Sequence, residues 1–156
     1  MKRGSHVTVF LLLLALLFAV HAFLGAAAVH VEPFNVSQSP ADSRSPALAA
    51  SADTVHVVWE ESGRIYHRFC HAGVWSPIRS VATGEQPTLA IDIAGNAHVV
   101  FVNEFGGNYE IYHCRWNGAV WSLPRNVSNT SGVSSAPNLA IAPDGRLHVA
   151  WADNTP

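Results

Sequence analysis

One motif occurs three times in this chain, and any fold must place its copies equivalently. The copies read SPALAASADTVHVVW at residues 45–59, QPTLAIDIAGNAHVVF at 86–101 and APNLAIAPDGRLHVAW at 136–151. Each runs from a proline (Pro46, Pro87, Pro137) through Leu-Ala and a short turn to His-Val and, two residues on, an aromatic ring (Trp59, Phe101, Trp151). The copies lie 41 or 42 and then 50 residues apart, a period typical of propeller blades and other repeat architectures.

Within a copy, residues 89–91 and 97–102 read as two short strands around a turn rich in Asp, Gly and Asn. The first copy is one residue shorter there and lacks the glycine, so its hairpin should be tighter or irregular. A second block follows: IYHRF at 65–69 matches IYHCR at 111–115, and each is followed by a Trp-Ser pair, Trp75-Ser76 and Trp121-Ser122. Ala72-Gly73 and Asn117-Gly118 lie between, and Asn-Gly between aromatic strand residues signals a hairpin. Asn-Val-Ser recurs as a linker at 35–37 and 126–128, and the middle linker, around Arg79-Ser80-Val81, is shorter.

Each unit is thus four short antiparallel strands. Runs such as Val57-Val58-Trp59 and residues 99–102 leave no clean alternation, as expected of sheets covered on both faces. Stacking such sheets around an axis makes an all-β propeller, with a β-sandwich as the alternative. The expected organisation is about two and a half blades: units at about 35–80 and 81–125, and an incomplete unit at 126–156. Four to eight blades normally close a ring, so closure would need homo-oligomerisation or further C-terminal blades.

Residues 1–28 carry Lys2 and Arg3, then an apolar run and a small-residue end. This describes a secretory signal peptide cleaved after Ala28 and a secreted chain, with a membrane anchor over residues 7–28 as the alternative. Residues 29–156 hold seven arginines, no lysine and eleven acids, a net charge of −4, which offers nucleic acid no electrostatic footing. Cys70 and Cys114 occupy different offsets on equivalent strands with the same face parity, so two buried thiols are expected in place of a bridge.

The polar residues that recur could carry chemistry or hold the repeat together. His56, His98 and His148 are equivalent, as are His67 and His113. Equivalent positions in stacked units are spread apart, so these imidazoles are expected to bond between strands, with no metal and no other cofactor. Glu60, Glu61, Glu104 and Asp153 follow strand two. Glu60 and Glu61 point opposite ways on an extended chain, and recurrence at a turn suggests loop capping. For a ligand surface the candidates are Trp116, which has Cys70 where an aromatic counterpart would be and is the ring expected to be exposed, together with Glu61, Glu104 and Arg115.

The segments PTLAIDIAGNAHVVF at 87–101, EIYH at 110–113 and WSLPRNVS at 121–128 resemble the bacterial exported proteins with sialidase-like repeats, the BNR or Asp-box type of β-propeller, over about residues 35–156. The Asp-box spacing itself is missing, because Asp92 lies three residues before Gly95 and Asp144 adjoins Gly145. Sialidases of that fold use an arginine cluster, a tyrosine nucleophile with a glutamate partner and an aspartate acid, none of which maps onto this chain. The expectation is a non-catalytic exported module contacting a glycan or a protein. The alternatives are a piece of a sialidase-like glycoside hydrolase, or a truncated repeat protein without independent function.

Overall fold

A computed structural model describes residues 33–155, so the segment read as signal peptide or anchor lies outside the described residues. The chain divides into residues 1–35 and 36–156, and every described strand belongs to the second unit. No helix among the described residues is long and apolar enough to cross a membrane.

The unit is all-β and antiparallel. Sheet one contains β1 (Ser43–Ser51), β2 (Thr54–Glu61), β3 (Arg64–His71), β4 (Val74–Trp75) and β5 (Arg79–Thr83). Sheet two contains β6 (Glu85–Ile91), β7 (Ala97–Phe105), β8 (Asn108–Trp116) and β9 (Arg125–Asn126), and sheet three β10 (Ser134–Ile141) and β11 (Leu147–Asp153). Within each sheet, strands pair in chain order, save that β4 and β5 both pair with β3. The triple motif is the β1–β2, β6–β7 and β10–β11 hairpin.

Each of these hairpins slips register at its proline, between Arg44 and Ala47, Glu85 and Thr88, and Ser135 and Asn138. Proline has no N–H to give the ladder, and the residue before it turns left-handed: φ is 49° at Ser45, 51° at Gln86 and 49° at Ala136. The repeated proline therefore encodes a β-bulge that bends the first strand of every unit. The first hairpin closes with Ser51 opposite Thr54, tighter than the second, where Ile91 faces Ala97, as its missing residue and glycine imply.

The fourth strand departs from expectation. It breaks in two, β4 and β5 in sheet one, a Trp116–Trp121 bridge and β9 in sheet two, so Arg79-Ser80-Val81, expected in a linker, is strand. Pro77 and Pro124 interrupt the ladder, and the serine of each Trp-Ser pair spans the gap. Ser76 donates its N–H to Phe69 O and accepts Phe69 N–H on Oγ at 3.0 Å; Ser122 does the same with Arg115, also at 3.0 Å.

Sheet two is buried on both faces. Leu89, Val99, Phe101, Cys114 and Trp116 pack with Val58, Ile65 and Phe69 of sheet one, whereas Val100, Val102 and Ile111 pack with Leu139, Leu147 and Val149 of sheet three. Adjacent residues of β7 thus enter different cores, the physical reason its sequence shows no alternation. Cys70 and Cys114 are free thiols; Cys114 is buried as expected but Cys70, on the outer face of sheet one, is only half-buried, and burial pushes the Cys114 thiol up to about 12.

Gly84 stands where the other units have Ser43 and Ser134. Its φ is 149°, and a Cβ there would lie 2.6 Å from both Phe101 Cδ2 and the Val102 carbonyl oxygen. Gly84→Ala is expected to cost about 2–4 kcal/mol, through overpacking against backbone plus strain at positive φ, read as a shift of the urea midpoint.

Candidate functional site

The two complete histidine pairs are bonded across strands. His56 and His67 place Nδ1 and Nε2 3.0 Å apart, and His98 and His113 repeat the contact at 3.0 Å. In sheet one the pair also receives a bond from sheet two, Trp121 Nε1–H to His67 Nδ1 at 3.3 Å. In sheet two Asp92 Oδ2 lies 3.3 Å from His98 Nε2. A carboxylate–imidazole–imidazole row could in principle relay a proton, but His98 is 5% exposed and lies on the sheet face packed against sheet three. Burial pushes His67 down to about 3, with the neighbouring His56 and Arg79 adding to the effect, and pushes His113 down to about 4, helped by His98, Arg125 and Arg115. Burial also lowers His56. Burial thus disfavours the charged form of His56, His67 and His113, and both pairs serve as interstrand clamps.

Asp92 is a loop cap. Its Oδ1 accepts the Ala94 and Asn96 amides at 2.9 and 2.8 Å, and its Oδ2 the Asn96 side-chain amide at 2.7 Å. Partial burial raises its pKa, but the bonds from Asn96 and His98 outweigh this and hold it near 2.

The acids after strand two also hold loops. Glu61 accepts Ser39 Oγ–H at 2.9 Å and Ser43 Oγ–H at 3.0 Å. Asp153, at the same position of the third unit, accepts Thr130 and Ser134 hydroxyls at 2.8 and 2.9 Å. The linker hydroxyls four and eight residues after Asn35 and after Asn126 are thus tied by one repeated carboxylate. The hydrogen bonds from the Thr155 side chain and backbone, followed by those from Thr130 and Ser134, hold Asp153 well below the usual carboxylate range. Glu104 is exposed and accepts Gly107 N–H at 3.0 Å across its own turn. Glu110, absent from the sequence candidates, is 6% exposed and accepts the Ser128 hydroxyl and the Thr130 amide. Its repeat partner is Arg64, so periodicity carries no signal for it.

Trp116 is not the exposed ring expected from its lack of an aromatic counterpart. It is 2% exposed, because it lies on the face of sheet two that packs on sheet one and fills the gap between the sheets. Arg79 lies 5.2 Å over its ring, and the rings of His67, Phe69 and Trp121 surround it at 5.3, 6.4 and 5.7 Å. Arg115 is exposed on the strand beside it. Glu61 and Glu104 are engaged at their own loops, so the four candidates do not converge.

A surface cleft of about 440 Å³ does form at this junction, lined by residues 79–81 of sheet one and 116 and 119–124 of sheet two. Trp116 contributes to its lining, Trp121 is half-exposed, and Val120 and Leu123 are 61% and 89% exposed. Arg79 donates to Pro77 O at 3.2 Å, one of the five N–H donors of a guanidinium. The cleft thus combines an indole edge, a cation, the hydroxyls of Ser80 and Ser122 and an apolar wall. No acid lines it. Among the described residues no group of three or more His, Cys, Asp or Glu is placed to hold a metal ion. No protein-family model matches the chain, and no curated protein matches it.

Proposed function

We propose that this chain is an exported, non-catalytic module of β-propeller blades that binds carbohydrate in the cleft between its first two units. The observation that carries this is the composition of the cleft: Trp121, Val120 and Leu123 offer an apolar surface beside the Arg79 guanidinium, with no carboxylate in the lining. Glycoside hydrolysis ordinarily needs two carboxyl groups flanking the scissile bond, whereas an indole beside a guanidinium suits the apolar face and the oxygens of a pyranose ring. The blade reading is supported by three hairpins with the same bulge and by a middle sheet covered on both faces.

A panel of neutral and acidic glycans tests this. Saturable binding is expected, weakened about tenfold or more, or about 1.4 kcal/mol, by Trp121→Ala and by Leu123→Asp, without release of sugar. Leu123 is 89% exposed, so its substitution leaves folding intact. Binding unchanged in both variants, or no binding to any glycan, would sink the proposal.

A further inference from the structure

Of the two indoles that line the cleft, Trp116 is buried and Trp121 half-exposed. The N–H of Trp121 nevertheless turns inward, because Nε1 donates at 3.3 Å to Nδ1 of His67, which is fully buried. The two rings meet edge-on, with centroids 4.9 Å apart and planes at 90°. An indole nitrogen only donates, so Nδ1 of His67 is the acceptor and the imidazole proton sits on Nε2. Nε2 in turn lies 3.0 Å from His56 Nδ1 and donates to it, which leaves His56 with its own proton on Nε2. Indole, imidazole and imidazole thus form one row of bonds with a single direction.

The row ties the cleft to the interior of sheet one, since His56 and His67 lie on the adjacent strands β2 and β3 and are 4% and 0% exposed. The repeat differs at this point. Trp75, the counterpart of Trp121, lies under Arg68 at 5.3 Å. Arg79, by contrast, stands over Trp116 and Phe69 at 5.2 and 6.0 Å, and among the described residues no cation covers Trp121.

We infer that His67 is a positioning residue for the ligand-contacting ring of the cleft: by accepting the Trp121 N–H it fixes the indole with its hydrogen-bonding edge inward and leaves carbon and π surface to the ligand. This rests on the carbohydrate reading of the cleft. A sugar then meets Trp121 through C–H bonds alone, and its oxygens fall to Arg79 and Ser80. A β-linked glucose chain suits such a ring, because equatorial hydroxyls leave both faces of each pyranose as C–H surface for an aromatic face.

Long-range proton–nitrogen spectra of the full chain, isotope-labelled at histidine and tryptophan, test this with and without a β-linked glucose tetrasaccharide. His67 should carry its proton on Nε2 and share a coupling across the hydrogen bond with Trp121 Nε1, and both features should persist at saturation. A proton on His67 Nδ1, or a coupling lost at saturation because the N–H has left for a sugar oxygen, overturns the inference. His67→Gln and His67→Asn separate positioning from packing, since both remove a buried ring and both lower the melting temperature. Asparagine keeps an acceptor near the place of Nδ1 and still takes the indole N–H, whereas glutamine reaches only toward His56. Affinity for the tetrasaccharide should fall about tenfold in His67→Gln and stay within about twofold in His67→Asn. Equal losses in the two variants would make His67 purely structural and overturn the inference. If neither variant folds, the wild-type spectra decide. A chain with the expected proton position and coupling that binds no glycan overturns the carbohydrate reading alone and leaves the fixed edge of Trp121 established.

Discussion

Trp116→Ala should be the most destabilising single change in the unit, lowering stability by about 3–5 kcal/mol. The ring is 2% exposed, carries Arg79 over its face at 5.2 Å and touches rings from both sheets. Truncation leaves a cavity at the junction and removes the nearer of the two rings beneath Arg79, leaving only Phe69 at 6.0 Å, so a lost cation–π contact adds to the cost. Against the 5–15 kcal/mol that a domain has in total, part of the population should already be unfolded at 37 °C. Trp116→Phe should recover more than half of the loss. A ring standing in solvent to stack on a ligand would behave in the opposite way: Ala would abolish binding and leave the melting temperature alone.

Acid should weaken the unit well before its carboxylates titrate. His67 is pushed down to about 3 in the fold against about 6.5 in an unfolded chain. A base with a depressed folded pKa binds fewer protons folded than unfolded below pH 6.5, so stability is complete above that value and falls as pH drops toward 3. At pH 5 the loss from His67 is about 2 kcal/mol, as each pKa unit is worth 1.36. His113, at about 4, acts in the same direction with its share screened by solvent. Asp92 and Asp153, both depressed, contribute only as pH falls below about 4, the ordinary carboxylate range. The melting temperature should therefore fall by roughly 10 °C between pH 7 and pH 5, and His67→Gln should flatten that slope. A melting temperature constant across that interval would mean that these imidazoles are not held neutral by burial.

The repeat makes the hairpins legible. Proline, turn and His-Val recur at fixed offsets, so β1–β2, β6–β7 and β10–β11 follow from periodicity, and the capping role of Glu61 and Glu104 from their place after strand two. Histidines bonding between strands can be expected from their equivalence, since equivalent side chains in stacked units do not converge. Trp116 misleads because comparison runs along the chain: against Cys70 it looks like an addition, yet what it fills is the space beneath Arg79 of the preceding sheet. The split fourth strand is hidden for a related reason. Pro77 and Pro124 look like strand ends in sequence, and only the pairing of Arg79 with His67 and of Arg125 with His113 shows the ladder resuming beyond them. The cleft is invisible in sequence because its residues come from two units, and Arg79 is matched by Arg125 in the next, so nothing in the repeat marks it.

That the repeated polar groups hold the sheets, and that a ligand meets the chain where units one and two join, is tested most directly by the indole N–H signals during titration with a bound glycan. The expected result is a saturable shift of Trp121, with Trp59 and Trp151, which do not line the cleft, unmoved. A titration that shifts Trp59 or Trp151 and leaves Trp121 in place would contradict it.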